Sequence, residues 1–266
     1  MEIDAAGLIY FSPTHTTRRV LAAIAEGLGA AGECQVDLTP PAAEGQSFSA
    51  GVWNIALIGA PVYAGRLPAM MVSRFRRLEG QGTPAVNVVV YGNRAYDDAL
   101  LELRDLAVAV GFQPIAAGAF IGEHSYSAVG APIAVGRPDA MDLAKARAFG
   151  GAVRKKVTVL PSAAGLAPLS VPGNFPYKEH PQLPATAPVV DQTRCTACGQ
   201  CVALCPTGAI PQDDPAVAEK GRCIRCCACI KGCPAGARTM DDPRIRQVTE
   251  YLRQTCGDRK EPETYL

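Results

Sequence analysis

Long apolar runs, a strong net charge and an export signal are all missing from this 266-residue sequence. Lys and Arg total 26 against 25 Asp and Glu, and the resulting net charge of +1 excludes the basic field typical of nucleic-acid binders. No apolar stretch reaches the roughly 20 residues that a membrane-spanning helix needs. The N-terminal residues lack the basic region of a signal peptide, so we expect a cytoplasmic protein.

Cysteine, in contrast, is abundant and unevenly placed. The sequence contains 11 cysteines, nine of them within residues 195–233. A secreted disulfide framework would spread its cysteines through a short chain behind a signal sequence. Thiols clustered in a chain without export signals indicate metal ligands.

The cysteine-rich segment contains one pattern twice. The copies are Cys195-x2-Cys198-x2-Cys201-x3-Cys205-Pro206 and Cys223-x2-Cys226-x2-Cys229-x3-Cys233-Pro234. At this spacing three cysteines bind one iron–sulfur cluster and the fourth binds the other cluster. We therefore expect two [4Fe–4S] clusters, one held by Cys195, Cys198, Cys201 and Cys233 and the other by Cys223, Cys226, Cys229 and Cys205. Zinc ribbons are the alternative, but they supply four thiolates to one ion and need no Cys-Pro closing turns.

The two cysteine runs resemble bacterial-type ferredoxins, whose family likeness lies in the closing turns Cys-Pro-Thr-Gly-Ala-Ile and Cys-Pro-Ala-Gly-Ala-Arg. Cys227 departs from this pattern. Because the spacing is complete without it, we expect a buried thiol that is not a ligand. Cys34 and Cys256 also lie outside the pattern and are expected to be core or surface thiols.

Residues 1–159 alternate strand-like and helix-like segments. Strands are predicted at residues 7–11, 34–38, 55–59, 86–91 and 115–121. Helices are predicted at residues 16–28, 69–78, about 100–110 and 139–156. This alternation predicts an α/β domain in which helices cover both faces of a parallel sheet.

Three loops follow strands of this predicted sheet, at the edge where open α/β sheets bind ligands. The first is rich in hydroxyls and leads directly into a helix, where free N–H groups can surround a phosphate. The later two offer aromatic rings and glycines. The candidate residues are Ser12, Thr14, His15, Thr16 and Thr17 in the first loop, Pro61, Val62, Tyr63, Ala64 and Gly65 in the second, and Tyr91, Gly92, Asn93, Arg94 and Tyr96 in the third.

These loops resemble the phosphate loop and the two ring-flanking loops of the flavodoxin family, over about residues 3–158. The resemblance implies FMN and a flavodoxin-like, doubly wound five-stranded sheet in the order 2-1-3-4-5. His15 stands where that family usually has glycine. Residues 123–126 could face the same cleft, with His124 as a candidate proton donor to a flavin, whereas His180 is expected to be solvated.

The whole chain resembles the flavodoxin–ferredoxin fusion proteins of anaerobes. We expect a flavodoxin-like domain at 1–159, a linker with seven prolines at 160–188, a small α+β ferredoxin module at 189–242, and a C-terminal helix and tail at 243–266. Proline-rich segments are semi-rigid. The linker is therefore expected to hold the first cysteine run near the loops of Tyr63 and Tyr96.

The combination predicts an electron-transfer protein that relays electrons between FMN and the clusters, to or from a redox partner protein. Two alternatives stay open. One is a flavin-dependent reductase of a small acceptor, fed by the clusters, and the other is a ferredoxin fused to a docking domain that has lost FMN. The sequence contains no Gly-x-Gly-x-x-Gly motif, so NAD(P)H binding is not supported. The sequence leaves the donor, the acceptor and the oligomeric state open.

Overall fold

The computed structural model describes residues 3, 5–30, 32–51, 53–159, 168–181 and 185–266. Its strands are β1 (Ala5–Tyr10), β2 (Gly32–Asp37), β3 (Phe48–Ser49), β4 (Ile55–Pro61), β5 (Leu78–Glu79), β6 (Pro84–Tyr91), β7 (Gln113–Ile121), β8 (Val189–Val190), β9 (Arg238–Thr239) and β10 (Glu263–Tyr265). Its helices are α1 (Thr16–Leu28), α2 (Ala69–Phe75), α3 (Ala99–Ala109), α4 (Ala140–Val159), α5 (Gln200–Ala203), α6 (Ala228–Lys231) and α7 (Pro243–Thr255), with a short 3-10 helix at Pro41–Gly45.

The central sheet has six strands in the order β2-β1-β4-β6-β7-β10. The first five run parallel, and they follow the predicted order 2-1-3-4-5. β10 was not predicted. It pairs antiparallel with β7, with Thr264 opposite Gly118. The expected five-stranded sheet is therefore corrected to six strands, the sixth supplied by the C-terminal segment.

Helices cover both faces of this sheet. Ile9 of β1 packs into the core on one face together with Phe75 of α2, whereas Leu8 packs into the core on the other face together with Ile24 of α1. Successive residues of a strand point to opposite sides, so a strand covered on both faces must be apolar throughout. β4 and β6 are such strands, and their carboxyl ends open at one edge of the domain.

The helix boundaries follow local signals in part. α1 runs from Thr16 to Leu28 as predicted, and it ends because Gly29 adopts a left-handed φ of 65° and its N–H bonds the Ala25 carbonyl at 3.0 Å. α2 is shorter than predicted and ends at Phe75. Leu78, where the helix was predicted to end, belongs with Glu79 to strand β5, which pairs with β3.

The cysteine-rich module is a small α+β unit with an internal repeat. β8 pairs antiparallel with β9, and each cysteine run contains one short helix, α5 or α6. The backbone repeats as well, because left-handed φ angles recur at Gly199 (72°) and Cys227 (60°) and at Gly208 (59°) and Gly236 (57°). The two runs therefore build two equivalent loops.

The chain before and after the module is bound to the first domain. The Asp98 carboxylate of that domain accepts the backbone N–H groups of Asn174 and Lys178 at 2.9 and 2.7 Å. After the module, α7 begins at Pro243, behind the expected Asp-Pro start, and the segment beyond it reaches β10. Part of the predicted linker, residues 160–167 and 182–184, lies outside the described residues. No helix in the described part of the chain is long and apolar enough to cross a membrane.

Candidate cofactor sites

The loop between β1 and α1 folds as a compact turn at the N-terminus of α1. Ser12 Oγ accepts the Arg18 N–H at 3.1 Å, and the Ser12 carbonyl accepts the His15 N–H at 3.1 Å. His15 itself has a left-handed φ of 63°. This conformation costs a non-glycine residue roughly 1–2 kcal/mol. The backbone thus takes the shape that glycine would favour, with an imidazole in its place.

The first turn of α1 leaves donors free for an anion. The first N–H groups of a helix have no partner within it, and together with the helix dipole they attract negative charge. Thr14 and Thr16 line the adjoining cleft. Thr17 is fully buried, and its Oγ1 has no hydrogen-bond partner among the described residues. An unpaired buried hydroxyl at a helix N-terminus fits a phosphate group.

The cleft at the carboxyl edge of the sheet has a volume of about 580 Å³. This size is within the range of small-molecule and cofactor sites. Ten of the predicted residues line it: Thr14, Thr16, Pro61, Val62, Tyr63, Ala64, Gly65, Tyr91, Gly92 and Arg94. Residues 123–126 also face it, as expected, and Gly122 lies beside them. The three loops therefore converge on one cavity.

Five predicted residues do not line this cavity: Ser12, His15, Thr17, Asn93 and Tyr96. The Asn93 amide donates to the carbonyls of Cys256 and Asp258 at 2.7 and 2.8 Å. The Tyr96 hydroxyl donates to Glu263 at 2.8 Å. Both side chains hold the C-terminal segment in place instead of facing the cleft.

Two glycines keep the cleft open. A Cβ on Gly92 would lie 2.3 Å from Cδ2 of His124, and a Cβ on Gly65, whose φ is +85°, would lie 2.1 Å from an Asp97 carboxylate oxygen. Any larger residue at either position would push these side chains into new positions. The close approach of the loops therefore depends on glycine.

His124 is held as a neutral imidazole at the wall of the cleft. Burial lowers its pKa to about 4, and the nearby cations Lys231 and Arg94 act in the same direction. Its Nδ1 accepts the Tyr126 N–H at 3.0 Å, which leaves the proton on Nε2. The group can donate one hydrogen bond to a ligand at neutral pH. His180 is exposed, as expected, and stands at the rim of the same cleft.

Part of the cleft wall comes from the module and from α7, which the sequence did not predict. Cys223, Ile224 and Arg225 of the second cysteine run line it, as do Ile245 and Val248 of α7. The apolar spacing of α7 indicated that this helix packs on a surface, but nothing in the sequence identified the surface. The expectation that the first run would lie at these loops is wrong, because the second run occupies this place.

Two tyrosines lie between the cleft and the second cysteine run. Burial raises the pKa of Tyr63 well above its usual value, and the proximity of Cys226, Cys227 and Cys223 raises it further. Burial likewise raises the pKa of Tyr126 to about 12, with a contribution from Cys227. Both phenols therefore remain protonated beside the sulfur atoms.

The cysteines of the second set surround a small enclosed space. Cys205 lines one cavity together with Cys223, Cys226 and Cys229, as expected if the fourth cysteine of the first run crosses to the second set, and Cys227 lines the same cavity. Burial raises the pKa of the Cys226 and Cys229 thiols to about 12. Such thiols bind as thiolates only when a metal displaces their protons. Among the described residues, no group of three or more potential ligands is placed to hold a single metal ion.

Backbone donors reach the sulfur atoms at equivalent places in the two halves. The Ala209 N–H points to Cys205 Sγ at 3.2 Å, and the Ala237 N–H points to Cys233 Sγ at 3.3 Å. Left-handed backbone in both cysteine loops makes the N–H concavities found at iron–sulfur sites. These features fit cubane clusters held by thiolates.

The two sets differ in exposure. Cys205, Cys226 and Cys229 of the second set are buried, whereas Cys198 of the first set is exposed. Cys227 is buried as expected, in the left-handed position that Gly199 takes in the first run. Of the other two thiols, Cys34 is exposed and Cys256 is buried.

Comparison with known proteins bears first on the module. A family of 4Fe-4S binding domains matches residues 188–210, which contain the first cysteine run. The first domain has the flavodoxin-like sheet order. The chain joins a flavodoxin-like domain to a ferredoxin domain. The chain therefore has a redox role, and its ferredoxin domain belongs to the class that binds iron–sulfur clusters.

Several solved structures are similar to the flavodoxin-like domain. A flavodoxin from the domain Archaea is 12% identical, with 58% of this chain and 99% of that chain covered at a TM-score of 0.40. A WrbA-like flavodoxin from Agrobacterium tumefaciens is 17% identical, covering 58% and 98% at 0.39. An NAD(P)H:quinone oxidoreductase from Methanothermobacter marburgensis is 17% identical, covering 57% and 98% at 0.37. Because these TM-scores are low, the fold assignment rests on the sheet order. No curated protein matches the chain significantly.

Proposed function

We propose that the chain is an intramolecular electron relay between FMN in the cleft, two [4Fe–4S] clusters in the ferredoxin domain and an external redox partner protein. The observation that carries this proposal is the second cysteine run, which forms part of the wall of the cleft. When bound, a flavin exchanges paired or single electrons and each cluster exchanges single electrons.

The cleft residues divide into an anion site and a ring site. Thr14 and Thr16, which line the cleft, would bind the FMN phosphate with the free N–H groups of α1. The unpaired hydroxyl of Thr17, which is buried in the same turn and outside this lining, would join them. Tyr63 and Tyr91 supply aromatic surface for the flavin ring. Neutral His124 would donate a hydrogen bond through Nε2.

The ligand sets are assigned from the cysteine spacing, in which the fourth cysteine of each run crosses to the other cluster. The cavity that Cys205 shares with Cys223, Cys226 and Cys229 supports this assignment, and by the same pattern Cys233 joins the first run. The buried set lies beside the cleft, and the set that contains exposed Cys198 faces solvent. A partner protein would therefore exchange electrons at the outer set, and the inner set would exchange them with the flavin.

The lining of the cleft favours a relay over a reductase of a small acceptor. Residues of the ferredoxin domain and of α7 form part of the cleft wall, and they would limit the approach of a diffusible substrate from that side. When both sites are held in one molecule, the rate of electron transfer between them does not depend on protein concentration.

Rapid-mixing spectroscopy tests this relay. After anaerobic purification with iron, sulfide and flavin analysis, a one-electron donor reduces the clusters while flavin absorbance is followed. We expect a flavin reduction rate that does not change with protein concentration. Cys226→Ser should abolish this phase, and Cys34→Ser, at an exposed thiol outside both sets, should retain it.

Three results would contradict the relay. A rate proportional to protein concentration means that electrons pass between molecules. Protein that neither contains FMN nor takes it up on titration supports the docking-domain alternative. Rapid turnover of a diffusible acceptor at the flavin, lost in Cys226→Ser, supports the reductase.

A further inference from the structure

The third cleft loop, residues 91–96, forms few hydrogen bonds with its own domain. Gly92 and Arg94 of this loop line the cleft. Within the described part of the chain, the backbone of residues 93–95 makes one hydrogen bond, in which Lys260 Nζ donates to the Arg94 carbonyl. Backbone hydrogen bonds within the flavodoxin-like domain therefore do not fix the shape of this loop.

The C-terminal tail, residues 256–266, provides the contacts that the domain lacks. The buried amide of Asn93 donates to the carbonyls of Cys256 and Asp258 at 2.7 and 2.8 Å. At the end of the loop, the Tyr96 hydroxyl donates to Glu263 at 2.8 Å. With the lysine bond to the Arg94 carbonyl, three residues of the loop are bonded to the tail.

The tail has anchors of its own on the rest of the domain. Its last strand, β10, pairs with β7. Arg259 Nη1 bonds the Asp139 carboxylate at 2.6 Å, and Lys145 Nζ of α4 bonds Glu261 at 2.5 Å. None of these partners belongs to the loop. The tail therefore keeps its place without the loop, and its contacts hold the loop.

We propose that the C-terminal tail is a positioning element of the FMN site, which holds the third loop in the shape that accepts the flavin ring through Asn93 and Lys260. This inference rests on the proposed function. A loop without these bonds would sample other shapes, and the affinity for FMN would fall with the fraction of molecules in the competent shape. Because the tail follows the ferredoxin domain and α7 in the chain, FMN binding would depend on a segment outside the flavodoxin-like domain.

An FMN titration of the intact chain, with its iron and freed of flavin, tests this role by flavin fluorescence. Asn93→Gly removes both amide bonds, and glycine suits the left-handed φ of 66° at this position. Lys260→Met removes the bond to the Arg94 carbonyl and keeps an apolar chain of similar length. Lys145→Met is the matched control, because this lysine is also exposed and bonds the tail, but it does so from α4, at Glu261.

Trypsin cleavage after Arg94, measured in the flavin-free protein, is the second readout. Exposed loops are preferred sites of proteolysis, so a loop that has lost its bonds to the tail should be cleaved faster. This measurement reports on the loop itself and needs no flavin.

We expect the dissociation constant for FMN to rise about tenfold in Asn93→Gly and about threefold in Lys260→Met, as the competent fraction of the loop falls. Cleavage after Arg94 should accelerate in both variants. Lys145→Met should stay within about twofold of the parent in both measurements, because it loses only an exposed ion pair.

Four results would contradict this role or the function beneath it. Unchanged FMN affinity in Lys260→Met, or an equal loss in Lys145→Met, would overturn the inference. Weaker FMN binding without faster cleavage would mean that the side chains contact the flavin directly, which also overturns it. If Asn93→Gly fails to fold, Lys260→Met decides alone, since this side chain is exposed. A parent protein that takes up no FMN would instead refute the proposed function itself.

Discussion

Arg74 offers the sharpest test of how the two domains are joined. This side chain is 2% exposed, and its guanidinium donates to the carbonyls of Leu38 and Thr39 at 2.7 Å each and to the carbonyl of Pro206 at 2.8 Å. Pro206 follows Cys205, a proposed cluster ligand. One side chain of α2 therefore connects the flavodoxin-like domain to the proposed site of the inner cluster.

The expected cost of Arg74→Met follows from these contacts. The buried carbonyls of Leu38 and Pro206, the half-buried carbonyl of Thr39 and the Glu44 carboxylate would lose their donor. Removing one partner of a buried charged network costs about 3–5 kcal/mol, less than the sum of the separate bonds because the buried charge also disappears. Since domains are stable by about 5–15 kcal/mol, this is a large fraction of the free energy of unfolding.

Urea titration measures the loss. With a slope of about 2 kcal/mol per molar urea, the midpoint should fall by about 2 M. Cluster absorbance should bleach at correspondingly lower urea, because the Pro206 contact adjoins Cys205. The control is Arg77→Met, at an exposed arginine just beyond α2. If Arg74→Met and Arg77→Met unfold and bleach at the same urea concentration, Arg74 does not stabilise the junction.

Three further predictions concern the two sites. Cys205→Ala should lose the iron of the inner cluster, whereas Cys227→Gly should keep all iron, since glycine suits its φ of 60°. Thr14→Val and Thr17→Val should each weaken FMN binding by about 0.5–1.5 kcal/mol in a fluorescence titration. His124 has a pKa of about 4 when folded, below its unfolded value, so stability should fall as the pH drops from about 6.5 to 4, by at most about 1.4 kcal/mol per unit. His124→Asn should flatten this slope.

Each of these predictions has an outcome that contradicts it. Loss of iron in Cys227→Gly would make Cys227 a ligand. Unchanged flavin affinity in both threonine variants would move the phosphate away from this loop. If the parent protein and His124→Asn lose the same stability as the pH falls from about 6.5 to 4, another group titrates in this range.

Local patterns predicted those parts of the fold that local physics determines. α1 was located from its apolar spacing and Gly29, and the parallel sheet from five apolar runs. β10 was missed because three residues, Glu263 to Tyr265, have no usable periodicity and pair with a strand more than 140 residues away in sequence. Asn93 and Tyr96 were misplaced for the same reason, since their partners belong to that distant segment.

The cluster ligands could be predicted from spacing because an iron–sulfur cluster itself imposes the spacing of its ligands. The orientation of the ferredoxin domain could not. A proline-rich linker limits how far a domain can move but not which face it presents. The contacts that orient the domain, such as Arg74 with Pro206, are single hydrogen bonds between distant residues. A buried arginine on α2 carries no sequence signal of its partner.

The edge strand β10 also sets an order for biosynthesis. It follows the entire ferredoxin domain in the chain, so during translation the open edge of β7 stays unpaired until that domain has left the ribosome. An unpaired edge is a template for association with other chains. Pairing of Thr264 with Gly118 removes the hazard. This pairing can occur only after the ferredoxin domain, which lies between the two strands in the chain, has been synthesised. Completion of the sheet thus coincides with assembly of the whole molecule.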